Sequence, residues 1–115
     1  MEKFDEEVYD IIMQCFDTLP LIAVVNNQYL CMHGGVSPLM KSIQEVNNAN
    51  RFNEIPIEGL ICDIVWSDPI DDDIADKYDF LDNPERSCAY KYGLNPTKKL
   101  LDDNDFSLVI RAHQV

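Results

Sequence analysis

The sequence has few positive charges and no long apolar stretch. Its 115 residues carry 9 lysines and arginines against 21 aspartates and glutamates, a net charge of −12 at pH 7. Nucleic acids and anionic membranes are bound mainly through clustered lysine and arginine, so we expect neither as a partner. No apolar run reaches the roughly 20 residues that cross a bilayer, and the acidic start MEKFDEEVYD does not resemble a signal peptide. We therefore expect a cytoplasmic protein, with the nucleus as the alternative compartment.

Several enzyme signatures are also missing. The chain contains no G-x-S-x-G motif, no phosphate-binding lysine loop, no G-x-G-x-x-G and no H-E-x-x-H. Its four cysteines include no C-x-x-C pair, which favours free thiols over disulfides or a zinc knuckle. A thiol nucleophile at Cys31, two residues before His33, is disfavoured because strand residues i and i+2 share a face without having to hydrogen-bond.

The negative charge is concentrated in one segment. Residues 63–85 hold eight aspartates and one glutamate against one lysine, which is two thirds of the net charge. A calcium-binding loop starting at Asp71 would need an oxygen ligand at position 75 and glycine at position 76. Ala75 and Asp76 stand there instead. We interpret the segment as a solvated acidic loop.

The first part of the chain predicts a helix followed by a hairpin. Apolar residues recur from Val8 to Leu19 at the spacing of one helical face, and Pro20 ends the pattern. Residues 21–25 then predict a short buried strand, and residues 28–32 predict its partner. Asn26 and Asn27 between them can adopt the positive φ angles of a tight turn.

The second part alternates helices and strands. Ser37 and Pro38 predict the start of a helical stretch, and Ser42 with Glu45 forms a capping-box pattern within it. Residues 59–66 fit either a buried strand or a short helix. Asn95-Pro96 predicts a helix start, and residues 106–112 predict a last strand. This alternation, without an internal boundary, predicts an α/β fold in one piece.

The two histidines are the main candidates for chemistry. His33 and His113 each follow a predicted strand, where α/β folds place their ligands. A single histidine in such a place is more often a hydrogen-bonded structural residue. Two histidines at equivalent places favour metal binding more strongly. A catalytic metal, however, takes at least three protein ligands. Arg86, next to the acidic loop, could clamp a phosphate or could simply pair with neighbouring carboxylates.

Three motifs read together carry a family resemblance. LCMHGGVSP, CDIVWSDP and RAHQ, in that order and spacing, resemble the metal-dependent serine/threonine phosphoprotein phosphatase family, over nearly the whole chain. RFNEIP and SCAY are most similar to the calcineurin type. The resemblance implies the metallophosphatase β-sandwich flanked by helices. Residues 1–115 would be the central-to-C-terminal part of a catalytic domain that hydrolyses phosphoserine and phosphothreonine on proteins.

The resemblance also implies roles for individual residues. His33 and His113 would bind the same metal, one of two divalent or trivalent ions (manganese, or iron and zinc). Arg86 would bind the substrate phosphate, and Trp66 and Asp68 would line the active site. A phosphoprotein would be the substrate, and a calcium-sensor subunit and calmodulin would be partners of the full-length protein.

The departures from the family pattern matter as much. The motifs GDxHG, GDxxDRG and GNHE, which bring the remaining metal ligands and the proton-donating histidine, are absent from these residues. Ser87 stands where the family has glycine after the phosphate-binding arginine. We therefore expect the isolated chain to be inactive. The rival interpretations are a non-catalytic acidic interaction module derived from a truncated phosphatase, and a module that binds one metal through His33 and His113.

Overall fold

The structure is a computed structural model that describes residues 5–114. It has four helices and six strands among these residues. In chain order they are α1 Glu6–Asp17, β1 Ile22–Val25, β2 Tyr29–Met32, α2 Ile43–Asn48, α3 Leu60–Trp66, β3 Asp68–Pro69, β4 Phe80–Asp82, β5 Tyr90–Tyr92, α4 Leu94–Asp103 and β6 Leu108–Arg111. No helix within residues 5–114 has the length and apolar character needed to cross a membrane.

The predicted helix and hairpin at the start of the chain are present. The carboxylate of Asp5 caps α1 by accepting a hydrogen bond from the Val8 N–H at 2.9 Å. Between β1 and β2, Asn26 and Asn27 have φ angles of 53° and 52°, as a tight hairpin turn requires. The Gln28 N–H donates to the Val25 carbonyl at 3.0 Å and closes this turn.

One three-stranded sheet, in the order β1-β2-β6, positions both histidines. β1 and β2 are antiparallel, whereas β2 and β6 are parallel, with Met32 opposite Arg111. The Ala112 N–H donates to the His33 carbonyl at 3.1 Å and extends the β2–β6 pairing past the strand ends. Because parallel strands end at the same edge, His33 and His113 come together there.

A second small sheet is formed by strands from residues 68–92, which include most of the acidic segment. Its order is β3-β5-β4, with β3 parallel and β4 antiparallel to the central β5. β3 follows α3 directly and begins at Asp68. The buried apolar core lies among these elements; it consists of Leu30, Met32, Val36, Met40, Val46, Ile64, Tyr92 and Leu100.

Three local expectations were wrong. β1 is mostly exposed instead of buried, because it forms one edge of its sheet and no described element covers its outer face. No helix starts at Ser37. Its hydroxyl accepts from the Leu39 N–H, which closes a single turn, and donates to Asp63. α4 begins at Leu94, before the predicted cap, because the Asn95 side chain donates instead to Asp79.

Two other expectations were decided or confirmed. Residues 59–66, which fitted strand or helix, form α3. The capping box of Ser42 and Glu45 is present, although α2 starts there and not at Pro38. The Ser42 N–H donates to Glu45 Oε2 at 3.0 Å.

One face of the β1-β2-β6 sheet is apolar and open to solvent. Val25, Tyr29 and Leu108 lie side by side on this outer face, and Ala23, Cys31 and Ile110 form the next row. Val25 is 51% exposed and Ile110 is 50% exposed. Contiguous apolar patches of this kind drive association between proteins.

We expect the purified chain to self-associate through this outer face. Replacing Val25 and Ile110 together by threonine keeps the strand propensity and removes apolar surface. Sedimentation velocity over a range of concentrations should show less association for this variant than for the wild type.

Ile57→Thr is a suitable control, since Ile57 is 88% exposed and lies outside both sheets. If the control reduces association as much as the double variant does, the outer face is not responsible.

Candidate active site

The two glycines after His33 let its loop rest directly on α3. The N–H groups of Gly34 and Gly35 donate to the Ile64 carbonyl at 2.9 and 3.2 Å. A Cβ atom at Gly34 would lie 2.5 Å from the Val65 carbonyl oxygen, and one at Gly35 would lie 2.0 Å from the Tyr92 ring. Only glycine therefore permits this close approach, which sets the position of His33.

A buried carboxylate fixes the same loop from its other end. The Ser37 hydroxyl donates to Asp63 Oδ2 at 2.6 Å, and both residues are 2% exposed. Burial raises the pKa of Asp63, although the bond from Ser37 opposes this shift. The loop from His33 to Ser37 is thus attached to α3 at both ends.

The two imidazoles face each other at the sheet edge. His113 Nδ1 lies 3.0 Å from His33 Nε2, and the ring centroids are 4.8 Å apart. Trp66 packs edge-on against His113 with a centroid separation of 5.5 Å. Burial lowers the pKa of His113, and the nearby Arg86 charge lowers it further, so its neutral form is favoured.

Asp68 is the buried centre of the site. Its carboxylate is fully buried and accepts hydrogen bonds from Arg86 Nε at 2.9 Å, Arg111 Nη2 at 3.1 Å and Asn83 Nδ2 at 3.0 Å. His113 Nε2 lies 3.8 Å from Asp68 Oδ1. Burial alone would raise the pKa of Asp68, but the bonds from Arg86 and Asn83 outweigh it and the pKa is lowered.

Arg86 is held from two sides while part of it stays accessible. Its Nε donates to Asp68, and its Nη2 donates to the His113 carbonyl at 3.3 Å. The side chain is 27% exposed, and within residues 5–114 its Nη1 donates no hydrogen bond. Both interpretations from the sequence are therefore compatible with the geometry, because the carboxylate partner aims the arginine and leaves N–H groups for an oxyanion.

Ser87 follows Arg86 in a left-handed conformation. Its φ angle is 59°, and Ala89 has a φ of 56°. Glycine adopts this region without the steric penalty that a Cβ atom brings. The structure thus explains why glycine suits this position, and shows that serine accommodates the same turn at a cost in strain.

A groove opens beside His33 and Arg86. Its volume is about 840 Å³, and its lining is mainly apolar. His33, Trp66 and Arg86 belong to this lining, as do Phe16 of α1, Ile57, Cys62 and Cys88. Burial and the neighbouring Cys88 thiol raise the pKa of Cys62 to about 12, so this thiol stays protonated at neutral pH. The cysteines are free, as expected.

The imidazole pair has the right chemistry for part of a metal centre. Two nitrogens bound to one zinc ion at about 2.0–2.1 Å would be separated by about 3.3 Å, close to the 3.0 Å found between His33 and His113. His113 Nε2 is buried without a hydrogen-bond partner among residues 5–114, and Asp68 lies beyond it. Metal-bound histidines usually direct their second nitrogen at a carboxylate. No group of three or more ligating side chains occurs in the described part of the chain, so the pair fits as an incomplete set.

All five residues singled out from the sequence meet in one place. Trp66 belongs to the lining of the groove, and Asp68 is fully buried beneath it. Their individual roles stay predictions. Sequence reasoning missed Arg111 and Asn83, which complete the contacts to Asp68. The RAH motif contains Arg111, but nothing in the local sequence places its side chain against a carboxylate 43 residues away.

The sequence model of one family, described as calcineurin-like phosphoesterase, matches residues 2–115. The chain belongs to this family. It is 42% identical to the serine/threonine-protein phosphatase 2B catalytic subunit A1 of Saccharomyces cerevisiae, over 99% of this chain and 22% of that protein. It is 39% identical to the serine/threonine-protein phosphatase 4 catalytic subunit of Kluyveromyces lactis, over 96% of this chain and 34% of that protein.

The fold is similar to that of a solved structure. This is a protein serine/threonine phosphatase from Saccharomyces cerevisiae with similarity to human phosphatase PP5. The TM-score is 0.80 at 28% identity, over 98% of this chain and 34% of the solved chain. The predicted α/β metallophosphatase fold is therefore confirmed. The chain spans between about a fifth and a third of the length of these relatives.

We expect Asp68→Asn to destabilise the fold by about 3 kcal/mol at neutral pH. The negative charge between Arg86 and Arg111 would be lost, and the amide NH₂ would replace the oxygen that accepts from one of these two arginines. The pKa of Asp68 is lowered in the folded protein. The stability that the Asp68 carboxylate contributes is therefore complete above its pKa in the unfolded chain, about 3.9, and is lost as the pH falls through its pKa in the folded protein. Urea unfolding at several pH values measures this difference.

Asp72→Asn is the matched control, since Asp72 is exposed and belongs to the acidic segment. We expect it to change stability by less than about 0.5 kcal/mol. If the difference in unfolding free energy between wild type and Asp68→Asn stays constant down to pH 2, the charge effect does not come from Asp68.

We expect Ser87→Gly to stabilise the protein by up to about 1 kcal/mol, because glycine relieves the steric cost at a φ of 59° but adds some unfolded-state entropy. Thermal unfolding should show a higher midpoint. The control is Ser107→Gly, at an exposed position whose φ is not positive. A lower midpoint for Ser87→Gly would show that the serine side chain contributes more than the strain costs.

Proposed function

We propose that this chain forms part of the catalytic centre of a metal-dependent phosphatase that removes phosphate from phosphoserine and phosphothreonine in proteins. The observation that carries the proposal is the convergence of the imidazole pair and Arg86 on the buried carboxylate of Asp68. The family membership and the phosphatase relatives support the same reaction class.

Each side chain would have its own role in the reaction. Arg86 offers N–H groups to phosphate oxygens while Asp68 fixes its direction, so the arginine is preorganised for a negative charge. His33 and His113 would hold one metal ion, and manganese, iron or zinc suits such imidazole ligands. When bound, the metal ions polarise the phosphoryl group and activate the attacking water.

The calcineurin type is the subtype that we propose. The 42% identity to a phosphatase 2B catalytic subunit, and the RFNEIP and SCAY segments, support it. On this proposal the whole protein would act in the cytoplasm, with a calcium-sensor subunit and calmodulin as partners. The two imidazoles alone do not complete a metal site, so we also propose that the 115 residues need further ligands for activity.

A chimera tests whether these residues can serve in a phosphatase. The matched stretch of the yeast phosphatase 2B catalytic subunit A1 is replaced by this chain, and manganese-dependent phosphate release from a phosphoserine peptide is measured. We expect activity in the chimera and none in the isolated chain. Arg86→Ala in the chimera should lower kcat/KM by about 10²- to 10³-fold, because a preorganised donor to the phosphate is lost.

Lys98→Ala is the matched control, since Lys98 is an exposed cation of α4. It should leave kcat/KM unchanged. A folded but inactive chimera would favour the rival of a non-catalytic interaction module. Turnover by the isolated chain would refute the need for ligands from outside these residues.

A further inference from the structure

Arg111, which the sequence did not single out, makes three hydrogen bonds within and around the site. Its Nε donates to the Gly34 carbonyl at 2.6 Å, its Nη1 to Gln114 Oε1 at 2.9 Å, and its Nη2 to Asp68 Oδ1 at 3.1 Å. All three nitrogens of the guanidinium are thus engaged. The side chain is only 18% exposed, which leaves little room for a substrate to reach it.

Its three partners belong to three separate parts of the site. Gly34 directly follows His33, and Asp68 is the carboxylate that holds Arg86. Gln114 directly follows His113. One planar guanidinium therefore connects the loops of both histidines to the carboxylate that holds Arg86. Because its N–H groups lie in one plane, it fixes directions as well as distances.

The backbone at His113 shows why such a connection is needed. His113 has a φ of 71°, and the Gln114 N–H donates to the Ala112 carbonyl at 2.9 Å, two residues back. A hydrogen bond of this span around a residue with positive φ defines a γ-turn of the strained hand. Strained turns persist only where the surrounding contacts over-determine them.

We propose that Arg111 is the positioning residue of this site, which holds His33 and His113 face to face before any ligand binds. The inference rests on the proposed function for its purpose, but the geometry that it explains exists without metal or substrate. Lysine cannot replace it, since a single ammonium group lacks three N–H donors fixed in one plane.

NMR on the chain without metal tests the proposal directly. The sequence has only two histidines, so a nuclear Overhauser effect between their ring protons reports the face-to-face pair without ambiguity. We expect Arg111→Lys to abolish this signal and to weaken the binding of Ni²⁺, used alone as the probe, by about 10- to 100-fold. Thermal unfolding is measured in parallel to separate loss of position from loss of fold.

Gln114→Ala provides a second variant, which removes one of the three contacts and should weaken the ring signal while the chain stays folded. Arg51→Lys is the matched control, because Arg51 also donates to backbone carbonyls, those of Thr18 and Leu19, but touches neither histidine. It should leave the ring signal and Ni²⁺ affinity unchanged.

The outcomes separate the two proposals. An unchanged ring signal in folded Arg111→Lys or in Gln114→Ala would overturn the positioning role, even if the unfolding temperature falls. A wild-type chain that shows the ring signal but binds no Ni²⁺ would count against the proposed function and leave the role of Arg111 intact.

Discussion

The hydrogen-bonded carboxylate of Asp68 is the interaction on which the site depends. Removing a charge from water costs several kcal/mol, which only good geometry and further hydrogen bonds can offset. Asp68 meets this demand with Arg86, Arg111 and Asn83 around one fully buried group. Asp68 is the first residue of β3 in the second sheet, and Arg111 is the last residue of β6 in the first. The hydrogen bond between them therefore joins the two sheets.

Backbone strain occurs close to this carboxylate. Ser87 and Ala89 follow Arg86, which donates to Asp68, and His113 Nε2 lies 3.8 Å from Asp68 Oδ1; all three residues have positive φ angles. Each such residue costs of order 1–3 kcal/mol and survives where neighbouring contacts dictate the backbone. Here those contacts include the hydrogen bonds of Arg86 and Arg111, which fix the directions of the side chains around Asp68 without a ligand.

The outer face of the β1-β2-β6 sheet and the groove beside Arg86 are both apolar and open. The chain covers 22% to 34% of its relatives. Two imidazoles are also fewer ligands than a catalytic metal takes. On the proposed function, the geometry would supply the arginine that faces the substrate and two ligands of a metal site, but no complete centre within residues 5–114.

By itself, the sequence determined the elements whose causes are local. The asparagine turn, the capping box at Ser42 and the placement of both histidines after strands all follow from backbone preferences and periodicity. Only the tertiary structure decided that residues 59–66 are helical, that β1 is exposed, and that Asp68 lies beneath the site. Periodicity records neither which strands pair nor which distant carboxylate an arginine reaches, so the role of Arg111 became visible only in the fold.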